Sequence, residues 1–312
     1  MPKRDFISIT DFNRDEIMEI FRISRELKRG VKSGDFPAIL DKKTLAMVFM
    51  KPSLRTRCTF EIGMYQLGGQ AVYLAPSDIS MGKRETVYDV AKNLERWFDM
   101  VMARVFKHQT VKELARHSNI PVINALCDAE HPCQAMADLL TVLEHRESFD
   151  NFNLCFCGDG NNICHSLILL SAIIGSHITV TGPEGYEPKK EIVEKARELC
   201  KKSGGSFNFT HDPAQAVKNA DAIYTDVWAS MGQESEAENR KKIFEPYQVN
   251  RELVSRAPSG VMIMHDLPAH RGEEITDDMI DSENSIVFDQ AENRLHAQKG
   301  IMVLLYRKSM LK

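Results

Sequence analysis

Short apolar runs recur along this chain, each followed by a stretch with helical spacing, and that alternation leaves few folds open. Leu45 to Met50 is an unbroken apolar run, as expected of a strand buried on both faces. Ala71 to Leu74, Met100 to Arg104 and Pro121 to Asn124 repeat the signal. Helical stretches lie between them, from about Thr56 to Leu67, from Thr86, from Thr110 and from His131. Ahead of the series, Asn13 caps a first helix with Glu16 at the capping-box position. Ile17, Ile20, Phe21 and Leu27 give that helix an apolar face, and Gly30 supplies a stop.

A polar stretch, His145 to Asn153, separates this series from a second one. Its strands are Leu154 to Cys157, Ile178 to Thr181, Phe207 to Thr210, Ala222 to Thr225 and Val261 to Met264, with Ser285 to Phe288 as a further candidate. A last helix runs from about Asn293 to Met310. Repeated strand–helix units predict an α/β protein of two domains, each a mostly parallel sheet flanked by helices. The expected domains are 1–147, with the C-terminal helix 293–312 packing back on it, and 148–292.

Composition narrows the function classes. With 40 Lys and Arg against 44 Asp and Glu, the formal charge of −4 argues against a chain built to coat nucleic acid. No apolar run approaches the roughly 18 residues of a membrane span, so no membrane partner is expected. Met1 to Phe6 shows no apolar core of a signal peptide, and a cytoplasmic protein is expected. The 7 cysteines are odd in number and form no C-x-x-C pair, so they suggest neither a disulfide framework nor a zinc site. Buried reduced thiols are expected, and no metal.

The polar clusters fall just after the predicted strands: Ser53 to Arg57, Arg104, His131, Asn161-Asn162, Asp226 and His265. Ligands of open α/β sheets bind outside the carboxyl ends of their strands, so two facing sheets would enclose an active-site cleft lined by these clusters. In Ser53-Leu54-Arg55-Thr56-Arg57, a helix start, two hydroxyls and two guanidiniums suit a phosphate dianion. The segment is not a Walker A loop, because the glycines and the Gly-Lys-Ser/Thr ending are missing. Gly158-Asp159-Gly160 fails as a dinucleotide fingerprint, since Ile163 stands where the third glycine belongs. A nucleotide-dependent dehydrogenase is thereby disfavoured, and no cofactor is expected.

Taken in order, these segments resemble the aspartate/ornithine carbamoyltransferase family. Ser53-x-Arg55-Thr56-Arg57, then Arg104, then His131-Pro132-Cys133-Gln134 resemble its carbamoyl phosphate half. Asp226-Val227-Trp228-Ala229-Ser230-Met231-Gly232 resembles the ornithine-binding segment, and the aspartate type lacks the Ser-Met-Gly signature. Gly158 to Asn162, His265-x-Leu267-Pro268 and Glu292-Asn293-Arg294 also match, so the resemblance runs from about residue 5 to 305. It implies transfer of a carbamoyl group from carbamoyl phosphate to the side-chain amine of L-ornithine, giving L-citrulline and phosphate in arginine metabolism. The implied partners are those two small molecules and copies of the chain itself, as a trimer or a multiple of trimers.

The resemblance also implies residue roles. Ser53, Leu54, Arg55, Thr56 and Arg57 would hold the phosphate, while Thr56, Arg104 and His131 would converge on the carbamoyl oxygen, where charge grows in the transition state. Gln134 would accept from the carbamoyl NH₂; Arg294, Leu267 and Ser80 complete that set. Asp226 suits the α-ammonium of the acceptor, and Asn162 with the backbone around Ser230-Met231 suits its carboxylate. Pro268 is expected to follow a cis bond. Arg104, His131 and Asp266 are the candidate catalytic side chains.

Two positions depart from the family pattern. Ser80 stands where Gln or His is common, in a loop that resembles one reaching a neighbouring subunit's site, and Lys83 is close enough in sequence to share that task. Asp266 stands where the ornithine type usually carries Cys, beside the reacting nitrogen of the acceptor. An acidic group there would hold a proton on that amine, displacing the pH–rate profile upward relative to an Asp266→Cys variant, or would align the amine or accept its proton. Two alternatives follow. A putrescine carbamoyltransferase is disfavoured by Asp226 and Ser230-Met231, since putrescine has no α-carboxylate. A catalytically silent homologue with a regulatory or assembly role has only Asp266 in its favour.

Overall fold

The computed structural model of the protein describes residues 3–79, 81–82, 84–229 and 236–310. Ser80, Lys83, Ser230 and Met231, all singled out above, lie outside the described residues. The chain divides into two compact units, 1–140 with 292–312, and 141–291.

In the first unit, β1 (Thr44–Phe49), β2 (Gln70–Leu74), β3 (Met100–Arg104) and β4 (Val122–Leu126) form a parallel sheet in the order β2-β1-β3-β4. Around the strands run α1 (Arg14–Ser33), α2 (Leu54–Gln66), α3 (Pro76–Ile79), α4 (Val87–Trp97) and α5 (His108–His117). The apolar run of β1 is buried from Leu45 to Phe49, as is all of β3, which is why neither strand alternates in sequence. One helix, α6 (Pro132–Arg146), continues into the second unit.

That unit has a parallel sheet in the order β7-β6-β5-β8-β9, from β5 (Asn153–Cys157), β6 (His177–Thr181), β7 (Ser206–Thr210), β8 (Ala222–Thr225) and β9 (Met262–His265). Its helices are α7 (Asn162–Ile174), α8 (Lys190–Ser203), α9 (Pro213–Val217), α10 (Ala237–Phe244), α11 (Arg251–Val254) and α12 (Asp277–Ile280). The last helix, α13 (Val287–Met310), begins here and ends in the first unit. No helix among the described residues is long and apolar enough to cross a membrane.

Three local expectations are corrected. The first helix does have the Asn13–Glu16 capping box, with Asn13 Oδ1 accepting from the Glu16 N–H at 3.0 Å and Glu16 accepting from the Asn13 N–H at 3.2 Å. Gly30 does not stop it. The helix runs to Ser33, and Gly34 closes it at φ 75, a conformation that costs glycine little. Gly30 instead makes room for the returning chain, because the Asp35 N–H donates to the Gly30 carbonyl at 2.8 Å and a Cβ there would press on the Asp35 carbonyl.

Ser285 to Phe288 is not a strand. Ser285 bridges to Ile263, the Ile286 N–H donates to the Ile263 carbonyl at 3.0 Å, and the chain then turns into α13. Ile286 and Val287 are buried and Phe288 is 67% exposed, which breaks the period-2 pattern of a strand. That helix begins six positions before the expected Asn293, so Glu292-Asn293-Arg294 lies within it.

Candidate active site

Topology decides where the chemistry collects. In the first sheet the chain steps from β1 outward to β2 and then returns to β3 on the other side, so the strand order reverses between β1 and β3. Crevices at such reversals are where open α/β sheets bind ligands. The Ser53–Arg57 segment follows β1, and Arg104 ends β3 directly opposite Phe49. The Met50 N–H donates to the Arg104 carbonyl at 2.9 Å, which fixes Arg104 beside that loop.

Ser53 is the N-cap of α2, its hydroxyl accepting from the Thr56 N–H at 3.4 Å and standing 3.1 Å from Thr56 Oγ1. Thr56 is fully buried, and its hydroxyl oxygen accepts from two guanidiniums, Arg104 Nη1 at 3.4 Å and Arg294 Nη2 at 3.2 Å. Arg294 Nη1 also donates to Gln134 Oε1 at 2.5 Å, and Gln134 Nε2 donates to Asp138 Oδ1 at 2.8 Å. Thr56, Arg104, Gln134 and Arg294 are thus one buried network, reached from α2, β3, α6 and α13. His131, which opens α6, stands among cations. Burial first, and then the charges of Arg294, Arg104, Lys51 and Arg55, hold its imidazole well below the ordinary histidine range. It is therefore neutral at physiological pH, a hydrogen-bonding group and not a further charge.

The sequence reading missed Lys51, between β1 and the Ser53 cap. Burial, and next the charge of Arg104, lower its ammonium to about 8. Its one signal was the position immediately after a buried strand. Arg57, in contrast, is not brought to the network. Its guanidinium lies 4.1 Å from the centroid of the Tyr73 ring and its Nε is 3.5 Å from Glu61, on an exposed side of α2. Leu54 is 75% exposed, so its side chain takes no part in that network.

The second sheet repeats the plan. Its strand order reverses between β5 and β8, with Gly158 to Asn162 after β5 and Asp226 after β8. Asn161, and not Asn162, is the N-cap of α7, accepting from the Ile163 and Cys164 N–H groups at 3.1 Å. Its amide also donates to Asp226 Oδ2 at 2.6 Å, while Oδ1 accepts from the Val227 N–H at 2.7 Å. Asn162 Oδ1 accepts from the Ile163 N–H at 3.0 Å. The glycine-flanked Asp159 forms an ion pair with Arg240 at 2.7 Å, and Arg240 also donates to the Trp228 carbonyl at 2.9 Å. That segment therefore braces the loop after β8.

Strand register joins the next pair. Thr225 faces His265 across β8 and β9, so Asp226 and Asp266 leave adjacent strands side by side. A carboxylate oxygen of each and a ring nitrogen of His265 lie within 4.8 Å of one another. Burial, then the charge of Asp266, push the Asp226 carboxyl well above the usual carboxylate range. Fully buried His265 is held at both nitrogens, Nδ1 accepting from the Leu267 N–H at 2.8 Å and Nε2 donating to Glu274 at 3.0 Å. Burial opposes a charge on this ring, and the carboxylates of Asp266 and Glu274 outweigh it, raising the group to about 10. Leu267 takes φ 57 and precedes a cis peptide to Pro268, the bond type expected there.

The chain matches two family descriptions. One, "Aspartate/ornithine carbamoyltransferase, carbamoyl-P binding domain", covers residues 4–144, and the other, "Aspartate/ornithine carbamoyltransferase, Asp/Orn binding domain", covers residues 150–305. It is 52% identical to an ornithine carbamoyltransferase of Thermococcus kodakarensis over 302 residues, 97% of this chain and 96% of the relative. A Pyrococcus furiosus relative named as an anabolic ornithine carbamoyltransferase is 50% identical over 97% of this chain and 96% of its own length. The solved ornithine carbamoyltransferase from Pyrococcus furiosus superposes with a TM-score of 0.95 at 50% identity, covering 97% and 96% of the two chains. The anabolic enzyme of Campylobacter jejuni does so at 0.92 and 35% identity, covering 98% and 99%.

Proposed function

The chain belongs to the aspartate/ornithine carbamoyltransferase family, and from that footing we propose that it carbamoylates the side-chain amine of L-ornithine, giving L-citrulline and phosphate. The observation that carries the reading is the buried Thr56 hydroxyl with two guanidiniums on it and neutral His131 nearby. Carbamoyl phosphate brings a dianion and a carbonyl whose oxygen gains charge during attack, and a cationic pocket with aimed donors serves both needs. In this reading Ser53, Arg55 and the start of α2 take the phosphate, with Leu54 contributing backbone. Thr56, Arg104 and His131 take the carbamoyl oxygen, and Gln134, held by Arg294, takes the carbamoyl NH₂. A neutral His131 donates to that oxygen without adding to the repulsion among the cations.

The acceptor belongs to the second unit, with Asp226 for the α-ammonium and Asn162 for the carboxylate. We assign 1–147 with 293–312 to carbamoyl phosphate and 148–292 to ornithine. A biosynthetic role in arginine metabolism, a cytoplasmic location and a trimer or multiple of trimers complete the proposal. Exposed Leu54, Ile62 and Tyr65 support self-association, since they share one face of α2 at 75%, 46% and 77% exposure. Buried thiols at Cys127, Cys133, Cys155, Cys157 and Cys164 suit a reducing compartment.

The test is product formation by purified protein with carbamoyl phosphate and ornithine, putrescine or aspartate in parallel. Citrulline from ornithine alone is the expected result. Faster turnover of putrescine, or none of the three, would refute the assignment.

A further inference from the structure

Downstream of β9 the chain folds tightly back on itself between His270 and Ile275. The Gly272 N–H donates to the Ile275 carbonyl and the Glu273 N–H to the His270 carbonyl, both at 2.8 Å. That turn brings a ring nitrogen of His270 and one carboxylate oxygen each of Glu273 and Glu274 within 4.8 Å of one another. We propose that these three side chains bind a divalent transition-metal cation of the zinc class. The site is separate from the carbamoyl chemistry and stands whether or not the acceptor is ornithine. Cysteine spacing carries no trace of it, because none of the ligands is a cysteine.

Glu274 separates this cluster from an ordinary patch of surface acids. Its side chain is fully buried. Its Oε1 accepts from His265 Nε2 at 3.0 Å and from the His270 N–H at 2.6 Å, which pins the carboxylate against the backbone of another ligand. Its Oε2 is also buried and has no hydrogen-bond partner among the described residues. A carboxylate oxygen left bare in an interior is costly, and a bound ion removes that cost.

His270 and Glu273 supply the open side. Their side chains are 49% and 32% exposed, so an ion enters from solvent onto a buried floor. His270 Nδ1 and Glu273 Oε2 stand 3.8 Å apart. Two ligands about 2.1 Å from a tetrahedral ion lie about 3.4 Å from each other, so a small rotation of the exposed ring closes the difference. One imidazole with two carboxylates suits zinc better than magnesium or calcium, which favour all-oxygen shells. Water takes the remaining position. Lys241 on α10 is the competing cation, with Nζ 3.0 Å from Glu273 and 3.1 Å from Glu238. An arriving ion leaves that lysine its second carboxylate, so the exchange gives up one exposed pair, a small loss. Arg271 is turned elsewhere, to Asp277 and Asp281.

The experiment titrates zinc into the purified, chelator-treated full chain, read by competition with a chromophoric chelator. Wild type should bind zinc more tightly than magnesium and should melt at a higher temperature in its presence. His270→Ala and Glu273→Gln should each weaken zinc binding by about 10-fold or more, the least that losing even an outer partner of a metal ligand costs. Both should also lose the zinc-dependent rise in melting temperature. Lys241→Gln should instead tighten binding by about 2- to 5-fold, the worth of one exposed ion pair and a gain that no folding defect produces. Wild-type zinc affinity in both ligand variants would overturn the site, because the ion would then sit elsewhere, as among Asp226, His265 and Asp266. A wild type that binds no zinc would overturn it equally. Binding no tighter in Lys241→Gln would detach the ion from Glu273 and overturn the three-ligand assignment.

Discussion

Arg294 and Thr56 stand 238 positions apart in the chain and 3.2 Å apart in the fold. The guanidinium spans from the Thr56 hydroxyl to Gln134, so one side chain of α13 sets the geometry of α2 and α6 together. Arg294→Ala would leave Gln134 Oε1 buried without its charged donor, a cost of about 1–3 kcal/mol that thermal unfolding would register. Because Arg294 is the largest charge effect on His131 after burial, the imidazole pKa should rise in the variant. Histidine NMR titration reads that shift directly, and an unchanged His131 would disprove the coupling.

Arg55→Ala addresses the phosphate. Losing a charge-assisted contact to a dianion costs about 2–4 kcal/mol, or roughly 30-fold or more in affinity. Carbamoyl phosphate titration of the variant should show that loss with the fold intact. Wild-type affinity would remove Arg55 from the site.

Asp226→Asn should raise the KM for ornithine strongly and leave carbamoyl phosphate binding nearly unchanged, since only the α-ammonium loses its counter-charge. The same substitution has a stability signature. The folded-state pKa of Asp226 is raised, so its contribution is complete below the ordinary carboxylate pKa and is lost as pH rises through the folded value. An uncharged Asn escapes that loss. The melting temperature of Asp226→Asn relative to wild type should therefore increase from pH 5 to pH 8, and a difference constant with pH would show that the group ionises freely.

Asp159→Asn leaves Arg240 largely buried without its principal counter-charge, the other partner, Glu236, being 59% exposed. Breaking a buried pair from one side costs about 3–5 kcal/mol, so the variant should unfold markedly earlier in denaturant. Because Arg240 also holds the Trp228 carbonyl, ornithine KM should rise as well. An effect on neither would make the pair ornamental.

Strand ends were the legible part of this chain. Arg104, His131, Asp226 and His265 could be placed because a buried parallel strand announces itself as an apolar run, and its carboxyl end is where function collects. Contacts made by register were not legible. Asp226 and Asp266 are neighbours only because Thr225 and His265 are paired, and nothing in sequence states that pairing. Choosing between Asn161 and Asn162 required cap geometry, since either amide suits a helix start. Arg57 misled because residue type and position agreed with phosphate binding, while the helical turn from Thr56 carries its side chain to Tyr73. Gly30 misled because a glycine near a helix end serves equally to stop a helix or to admit a crossing chain, and only Asp35 decides between them.

Both sheets are parallel throughout, and that has an evolutionary corollary. Their chemical side chains are mostly held at strand ends and in the turns beyond them, where a substitution disturbs few of the bonds that define the ladders. Selectivity can then drift one turn at a time over an unchanging interior. An aspartate at position 266, reached one residue past the last bond of β9, is a change of that kind, made at the rim of the sheet.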